Sequence, residues 1–282
     1  MKKLSLITVI VFLTYFLLIG DVSFKSLFSN NKIGNGETQL SVLSLNVRYY
    51  SYGEDKVFNF IDSVDADIVL LSENTLTADS IASFSSLKEK YFIFAGRKYE
   101  TAILSKLPVI SYKEIDFPTH QASLSGGNDI STLINNPNRS FSHIKFRFND
   151  DEVNAISVRL IAGRPMTNKL KDQVEWGKYL VKKQTEEMES LANYLKTLEG
   201  PIVLGGDFNA PPNAKIMKPL YNIAEDAAYV NNFFPSPTFR TEFPVVRLDY
   251  IFSLNGLKPV EYTKINVKVS DHFPVFAKLE LR

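Results

Sequence analysis

The chain of 282 residues contains no cysteine. Disulfides, thiolate zinc centres, cysteine nucleophiles and a lipid-modified N-terminal cysteine are therefore excluded. Histidine is almost as scarce: His120, His143 and His272 are the only three. A histidine-rich metal centre is ruled out on that count. Any metal should rest on oxygen ligands, the preference of magnesium, calcium and manganese. An excess of charge of one sign is missing too. The 32 basic and 31 acidic residues leave a formal net charge of +1, which does not suit a strongly basic nucleic-acid coat but leaves a local basic cleft open. Internal repeats and low-complexity segments are absent. What remains is ordinary globular composition, long enough for one large α/β domain or two small ones with a full core.

One long apolar run is present. Met1-Lys2-Lys3 precedes residues 4–20, LSLITVIVFLTYFLLIG, which carry no charge. The run exceeds the usual signal-peptide core and lies at the short end of a membrane-spanning helix. No A-x-A-type cleavage site follows it. Lys2 and Lys3 should stay in the cytoplasm. The reading is an uncleaved transmembrane signal anchor over residues 1–20, with the globular part outside the cytoplasmic membrane. A cleaved secretory peptide, giving a secreted or periplasmic protein, is the competing reading. Residues 21–38 are polar and turn-rich, as expected of a tether. The compact domain should span residues 39–282.

Within that domain strands and helices alternate, the pattern of α/β sheets covered by helices. Strands are expected at Leu40–Leu45, Asp67–Leu71, Tyr91–Ala95, Thr101–Leu104 and Val109–Ile115. A hairpin should join Phe141–Phe148 to Val153–Leu160 around Asn149-Asp150-Asp151. Further strands are expected at Arg247–Phe252, Val260–Val267 and Phe273–Leu281. Helices are expected at Asp55–Val64, Thr77–Glu89 and, most clearly, Lys169–Leu198. In the last, Leu170, Val174, Val181, Met188, Leu191, Leu195 and Leu198 keep a helical period. Its lysines (Lys171, Lys178, Lys182, Lys183) read as a solvated face. Residues 117–140 form a long polar loop, the kind that often carries function.

The most specific phrase is Gly205-Gly206-Asp207-Phe208-Asn209, which follows the apolar run Pro201-Ile202-Val203-Leu204. Alternation along a strand should turn Asp207 and Asn209 the same way. An acid and an amide so placed can activate a water and steady an anion. Polar groups collect at other strand ends as well: Asn46, Glu73, Asp249 and the pair Asp271-His272. An acid in or beside an apolar strand is costly unless it is paired or binds metal. Several together point to one site. His143, in an alternating strand, reads as structural, and His120, in the long loop, as solvated.

The segments LSLNVR (43–48), IVLLSEN (68–74), TAILSKLPV (101–109), VLGGDFNAPP (203–212), RLDYIF (247–252) and SDHFPV (270–275) carry a resemblance to the endonuclease/exonuclease/phosphatase superfamily, in order and in spacing. The resemblance implies a four-layer α/β sandwich, two mixed β-sheets face to face with helices outside. It also implies a Mg²⁺- or Mn²⁺-dependent hydrolase of phosphoester bonds. It assigns metal binding to Glu73, Asn46 and Asp271. Asp207 would activate the attacking water, with Asn209 holding that carboxylate and a phosphate oxygen. His272 would contact the scissile phosphate, oriented by Asp249. A diester is favoured over a monoester, with nucleic acid the first substrate class and a lipid or sugar phosphodiester the second. A family member that binds a phosphorylated ligand without turnover is the rival reading.

Two positions depart from the family pattern. Ser72 stands where many members have glutamine, which should change a hydrogen bond beside Glu73. Arg159, in Ser157-Val158-Arg159-Leu160, stands where a histidine is common. Arginine cannot trade a proton, but it binds phosphate oxygens well. Arg159, together with Arg164, is therefore expected to stabilise the transition state electrostatically.

Overall fold

A computed structural model of the chain describes residues 39–96, 100–118, 139–162, 170–230 and 237–282. The apolar N-terminal run, the tether, His120, Arg164 and most of the loop 117–140 lie outside the described residues. Among the described residues no helix is long and apolar enough to cross a membrane.

Among the described residues, twelve strands form two mixed sheets of six. They are β1 (Leu40–Asn46), β2 (Ile68–Ser72), β3 (Phe92–Ala95), β4 (Thr101–Ser105), β5 (Val109–Asp116), β6 (Ser140–Phe148), β7 (Asp151–Arg159), β8 (Ile202–Asp207), β9 (Glu225–Asp226), β10 (Asp249–Leu254), β11 (Leu257–Lys264) and β12 (Val275–Leu281). One sheet runs β11-β12-β1-β2-β4-β3 and the other β5-β6-β7-β8-β10-β9. Each has one parallel pair near its centre, β1 with β2 and β7 with β8. The α-helices among the described residues are α1 (Glu54–Val64), α2 (Ala78–Ala82), α3 (Ser85–Lys90), α4 (Leu170–Lys196) and α5 (Lys218–Tyr221).

Side-chain alternation produces the layers. Leu40 and Val42 of β1 join Ile68, Leu70, Ala155, Val203 and Ile251 in the core between the sheets. Leu43 and Leu45 face outward and pack with Val57, Phe58 and Ile61 of α1. On the other side Ile156, Val158 and Leu204 pack with Met188, Leu191 and Leu195 of α4. The molecule is thus the four-layer sandwich expected from the resemblance.

The expected helix over Thr77–Glu89 is broken in two. Ser83 ends α2, and Phe84, extended at ψ 101°, restarts the chain as α3. The long helix is where the period placed it, but its first half differs from expectation. Met188, Leu191 and Leu195 are buried, whereas Leu170, Val174 and Val181 are exposed.

Candidate active site

The register sends every chemistry-bearing strand end to one end of the sandwich. Asn46 and Ser72 are paired at the C-terminal ends of β1 and β2. Arg159 pairs with Asp207 at the ends of β7 and β8, and Asp249, opening β10, pairs with the same Asp207. Alternation then turns these ends inward. Val203, Gly205 and Asp207 share a face, as do Val42, Ser44 and Asn46, and Ala155, Ser157 and Arg159. Each inward series therefore runs from apolar, through small, to polar.

The small residues let the sheets close up beneath the site. A Cβ on Gly205 would lie 2.8 Å from Leu70 Cδ1 and 3.4 Å from Ser44 Cβ in the opposite sheet. Gly206 has φ +144°, and a Cβ there would fall 1.8 Å from the Val158 carbonyl oxygen. Only glycine fits that position.

Asp207 is fully buried. Asn46 Nδ2 donates to its Oδ2 at 2.9 Å, across 161 residues of sequence. The Asn209 backbone N–H donates to Oδ1 at 2.9 Å, and Asn209 Nδ2 to Oδ2 at 3.2 Å. Asn209 holds this pose with φ 48°, its amide also donating to the Leu160 carbonyl at 2.9 Å. Burial pushes the Asp207 carboxyl up to about 6, with Asp249 adding to the rise and His272 and Arg159 opposing it.

His272 Nδ1 lies 2.8 Å from Asp249 Oδ2. Burial disfavours the imidazolium, but Asp249, Asp207 and Asp271 outweigh it and raise His272 to about 10. The ring is therefore a cation at neutral pH. Asp207, Asp249 and His272 each bring a ligand-type atom within 4.8 Å of the others. Arg247 donates to Asp226 from both terminal nitrogens, at 3.2 and 2.8 Å.

Glu73 follows β2 in a left-handed conformation, φ 54°. Its Oε1 accepts from Arg159 Nη2 at 2.8 Å and Nε at 3.2 Å. Arg159 Nη1 reaches Glu100 Oε1 at 3.5 Å. Arg139 extends the chain of charges, donating to Glu100 at 2.9 Å, to Glu187 of α4 at 2.7 Å and to the Arg159 carbonyl at 2.7 Å. Glu187 Oε2 in turn accepts from the Ile161 N–H at 2.7 Å. Five charged side chains thus tie the rim of one sheet to the helix layer. Arg139, Glu100 and Glu187 escaped notice in the sequence. A charged residue next to a long polar loop, or within a lysine- and glutamate-rich helix, carries no local signal of burial.

Asp271 pairs with Arg48 Nε at 3.4 Å and is partly exposed. Arg48 N–H donates to Asn46 Oδ1 at 2.8 Å, so this residue links two of the expected metal ligands. Tyr49 N–H donates to the Glu73 carbonyl at 3.0 Å, which fixes the β1 and β2 ends side by side. The donor set of Glu73, Asn46 and Asp271 is carboxylate and amide oxygen only, and it suits a hard divalent cation. Two buried atoms beside it, Ser72 Oγ and Asp249 Oδ1, have no protein hydrogen-bond partner. Elsewhere His143 is structural, held by Tyr194 Oη at 2.8 Å and Asn154 Oδ1 at 2.9 Å.

The family model described as Endonuclease/Exonuclease/phosphatase family matches residues 43–272. The chain belongs to this family, a class of phosphoester hydrolases. No curated protein matches the sequence. Solved structures share the fold. An endonuclease/exonuclease/phosphatase from Bacteroides vulgatus superposes with a TM-score of 0.65 at 16% identity, covering 87% of this chain and 100% of the other. TDP2 from D. rerio, complexed with a single-strand DNA product, gives 0.65 at 16% identity, covering 86% and 100%. A functionally unknown conserved protein from Enterococcus faecalis V583 gives 0.64 at 16% identity, covering 86% and 100%. At such identities the likeness is one of fold.

Proposed function

We propose that the chain is a divalent-metal-dependent phosphodiesterase that uses direct attack by water. The observation carrying this reading is the Asp207 carboxylate, fixed by three N–H donors from Asn46 and Asn209 and lying within reach of the Asp249–His272 pair. Asp207 is oriented to take a proton from the attacking water, and near neutral pH it is ionised and ready to do so. His272, held cationic by Asp249, stabilises charge on the phosphoryl oxygens. Asn209 keeps Asp207 in place and offers its amide to a phosphate oxygen.

Arg159 has five N–H donors by chemistry, and three are engaged with Glu73 and Glu100. The other two remain for a phosphoryl oxygen. Its role is electrostatic, since a guanidinium does not give up its proton. Glu73, Asn46 and Asp271 would hold Mg²⁺ or Mn²⁺, which supplies charge neutralisation at the phosphoryl group and the leaving oxygen. No serine or cysteine nucleophile is needed, and in-line attack depends on positioning and electrostatics. The pattern Met1-Lys2-Lys3 ahead of residues 4–20 supports a domain anchored on the outer side of the cytoplasmic membrane.

The test uses bis-p-nitrophenyl phosphate in ¹⁸O-labelled water with Mg²⁺ or Mn²⁺, under single-turnover conditions. Incorporation of one label into p-nitrophenyl phosphate, with no covalent phosphoryl-enzyme, is expected. A trapped phosphoryl-enzyme would contradict direct attack, and absence of hydrolysis with either metal would favour the binding-only reading.

A further inference from the structure

Seven large apolar side chains are exposed among the described residues: Tyr49, Phe92, Ile110, Leu170, Val174, Val181 and Phe243. Their placement is not even. Phe92 opens β3 and Ile110 lies near the start of β5, at the end of the sandwich away from the site. The other five lie at the site end. Tyr49 is three residues beyond Asn46. Phe243 lies in the segment before β10, whose Arg240 N–H donates to the Asp271 carbonyl at 2.9 Å.

The remaining three are on α4, and the helix shows why they are bare. Gln184 donates to the Ile161 and Asn209 carbonyls, both at 3.0 Å, and Glu187 accepts from the Ile161 N–H. These contacts place the strand ends at the level of Gln184. The helix enters from the site end, because it follows β7 and leads to the opposite end of β8. Residues 170–183 therefore continue past the strand ends for about 20 Å of helix at 1.5 Å per residue, with Trp176 and Lys183 buried and Leu170, Val174 and Val181 exposed. Leu170, Val174 and Val181, spaced by four and seven, continue the stripe that Met188 and Leu195 bury farther along. Lys171, Lys178 and Lys182 run beside the stripe and are exposed. Arg48 and Arg240, also exposed, lie at the mouth.

An apolar stripe edged by lysines is the makeup of a helix that lies on a lipid surface. Scattered exposed apolar residues need no explanation, but five gathered around one mouth do. The sequence ahead of the domain agrees. Residues 4–20 read as a membrane anchor, and only 18 residues, 21–38, separate that run from the domain. A nucleic-acid duplex would explain the basic residues but not Leu170, Val174 and Val181.

We propose that the site end of this domain is an interfacial face, which docks on an anionic lipid surface through the first half of α4 and the Tyr49 and Phe243 loops, so that the site meets phosphodiesters of lipid head groups. The inference rests on the phosphodiesterase reading for the chemistry at the site, but not for the docking itself.

The absence of cysteine makes the test clean. Val174→Cys and Phe92→Cys variants of the full chain are each labelled with an environment-sensitive nitrobenzoxadiazole group. They are then mixed with phosphatidylcholine vesicles, with or without phosphatidylglycerol, containing a doxyl-labelled lipid. The label at 174 is expected to shift to the blue and be quenched in the anionic vesicles, while the label at 92 stays unquenched. Removing one of Lys171, Lys178 or Lys182 should weaken this docking by about fivefold. Equal quenching at both positions, or none at 174, overturns the proposal. So does protection of the label at 174 by a single-stranded oligonucleotide in place of vesicles.

Hydrolysis of soluble bis-p-nitrophenyl phosphate is followed in parallel. A Leu170→Ser, Val174→Ser, Val181→Ser variant should keep that hydrolysis and lose the vesicle response. Docking without any soluble hydrolysis would leave the lipid face standing and defeat the enzymatic reading. Hydrolysis without docking would do the reverse.

Discussion

Arg159 donates two hydrogen bonds to a single carboxylate oxygen of Glu73, at 2.8 and 3.2 Å, across 86 residues of sequence. The residue that replaces a common histidine is thus engaged with the acid expected to bind metal. Arg159→Ala should remove a charge from the phosphoryl site and also leave Glu73 without its counter-ion, while Glu100 keeps Arg139 at 2.9 Å. Turnover is expected to fall by about 10²–10³-fold, the range for losing one electrostatic stabiliser. Arg159→His should retain part of it, because an imidazolium can still donate. Steady-state rates on bis-p-nitrophenyl phosphate check this, and full turnover in Arg159→Ala would show that the guanidinium does not contact the transition state.

The charges behind Arg159 predict an effect on stability. Arg139 is 4% exposed and Glu187 is fully buried. Arg139→Met would remove the buried ion pair with Glu187 and the closer of the two arginines paired with Glu100. Breaking a buried pair from one side costs about 3–5 kcal/mol. Thermal denaturation should show a clear fall in midpoint, and Glu187→Gln combined with Arg139→Met should recover part of it. An unchanged midpoint would mean that the network carries no net stabilisation.

pH should act in two windows. Asp207, raised to about 6 by burial, must be ionised to serve as a base. Activity should rise as pH climbs through about 6. His272, at about 10, should stay charged until well above neutrality, and activity should fall as pH passes that value. Asp249→Asn removes the principal support of that charge and should bring the alkaline limb toward neutral pH. Titration of the His272 ring by NMR, with only two other histidines to resolve, checks the shift directly. Stability falls with rising pH through both shifts. A histidine raised in the folded state stabilises fully below its ordinary pKa of about 6.5, and loses that contribution as pH rises toward about 10. Asp207 acts in the same direction, in a lower window. Its carboxyl is raised above 3.8, so folding becomes less favourable as pH climbs from there to about 6.

Gly206→Ala should prevent normal folding of the site end. The added carbon would meet the Val158 carbonyl at 1.8 Å on a backbone with φ +144°. The neighbouring β7–β8 pairing would have to open. Circular dichroism and a shift in denaturation midpoint check this, and a native-like alanine variant would contradict the packing described.

Much of this was legible in the sequence. Asp207, Asn209, Asp249 and His272 each sit at the junction of an apolar strand and a polar turn, so the chain marks them locally. Alternation then places Asp207 and Asp249 on inward faces, a left-handed turn (φ 48°) rather than alternation brings Asn209 back to Asp207, and the structure brings Asp207, Asp249 and His272 together. The less legible features depend on neighbours far away in the chain. Glu100 and Arg139 flank strands but look solvated, since only the fold shows them facing each other at 2.9 Å. The helical period of α4 located the helix correctly but could not say where the body of the protein ends. Leu170, Val174 and Val181 obey the same period as Met188 and Leu195, yet they lie beyond the core. The break between α2 and α3 was hidden for a similar reason, because Ser83-Phe84-Ser85 contains neither glycine nor proline.

The most direct measurement compares wild-type chain with Asp207→Ala and Asp207→Asn for hydrolysis of bis-p-nitrophenyl phosphate in Mg²⁺ or Mn²⁺, before and after chelation. The account predicts metal-dependent turnover in the wild type that falls by about 10²–10⁴-fold in both variants, the span of a lost general base, with the fold intact. Equal rates in wild type and variants would contradict it.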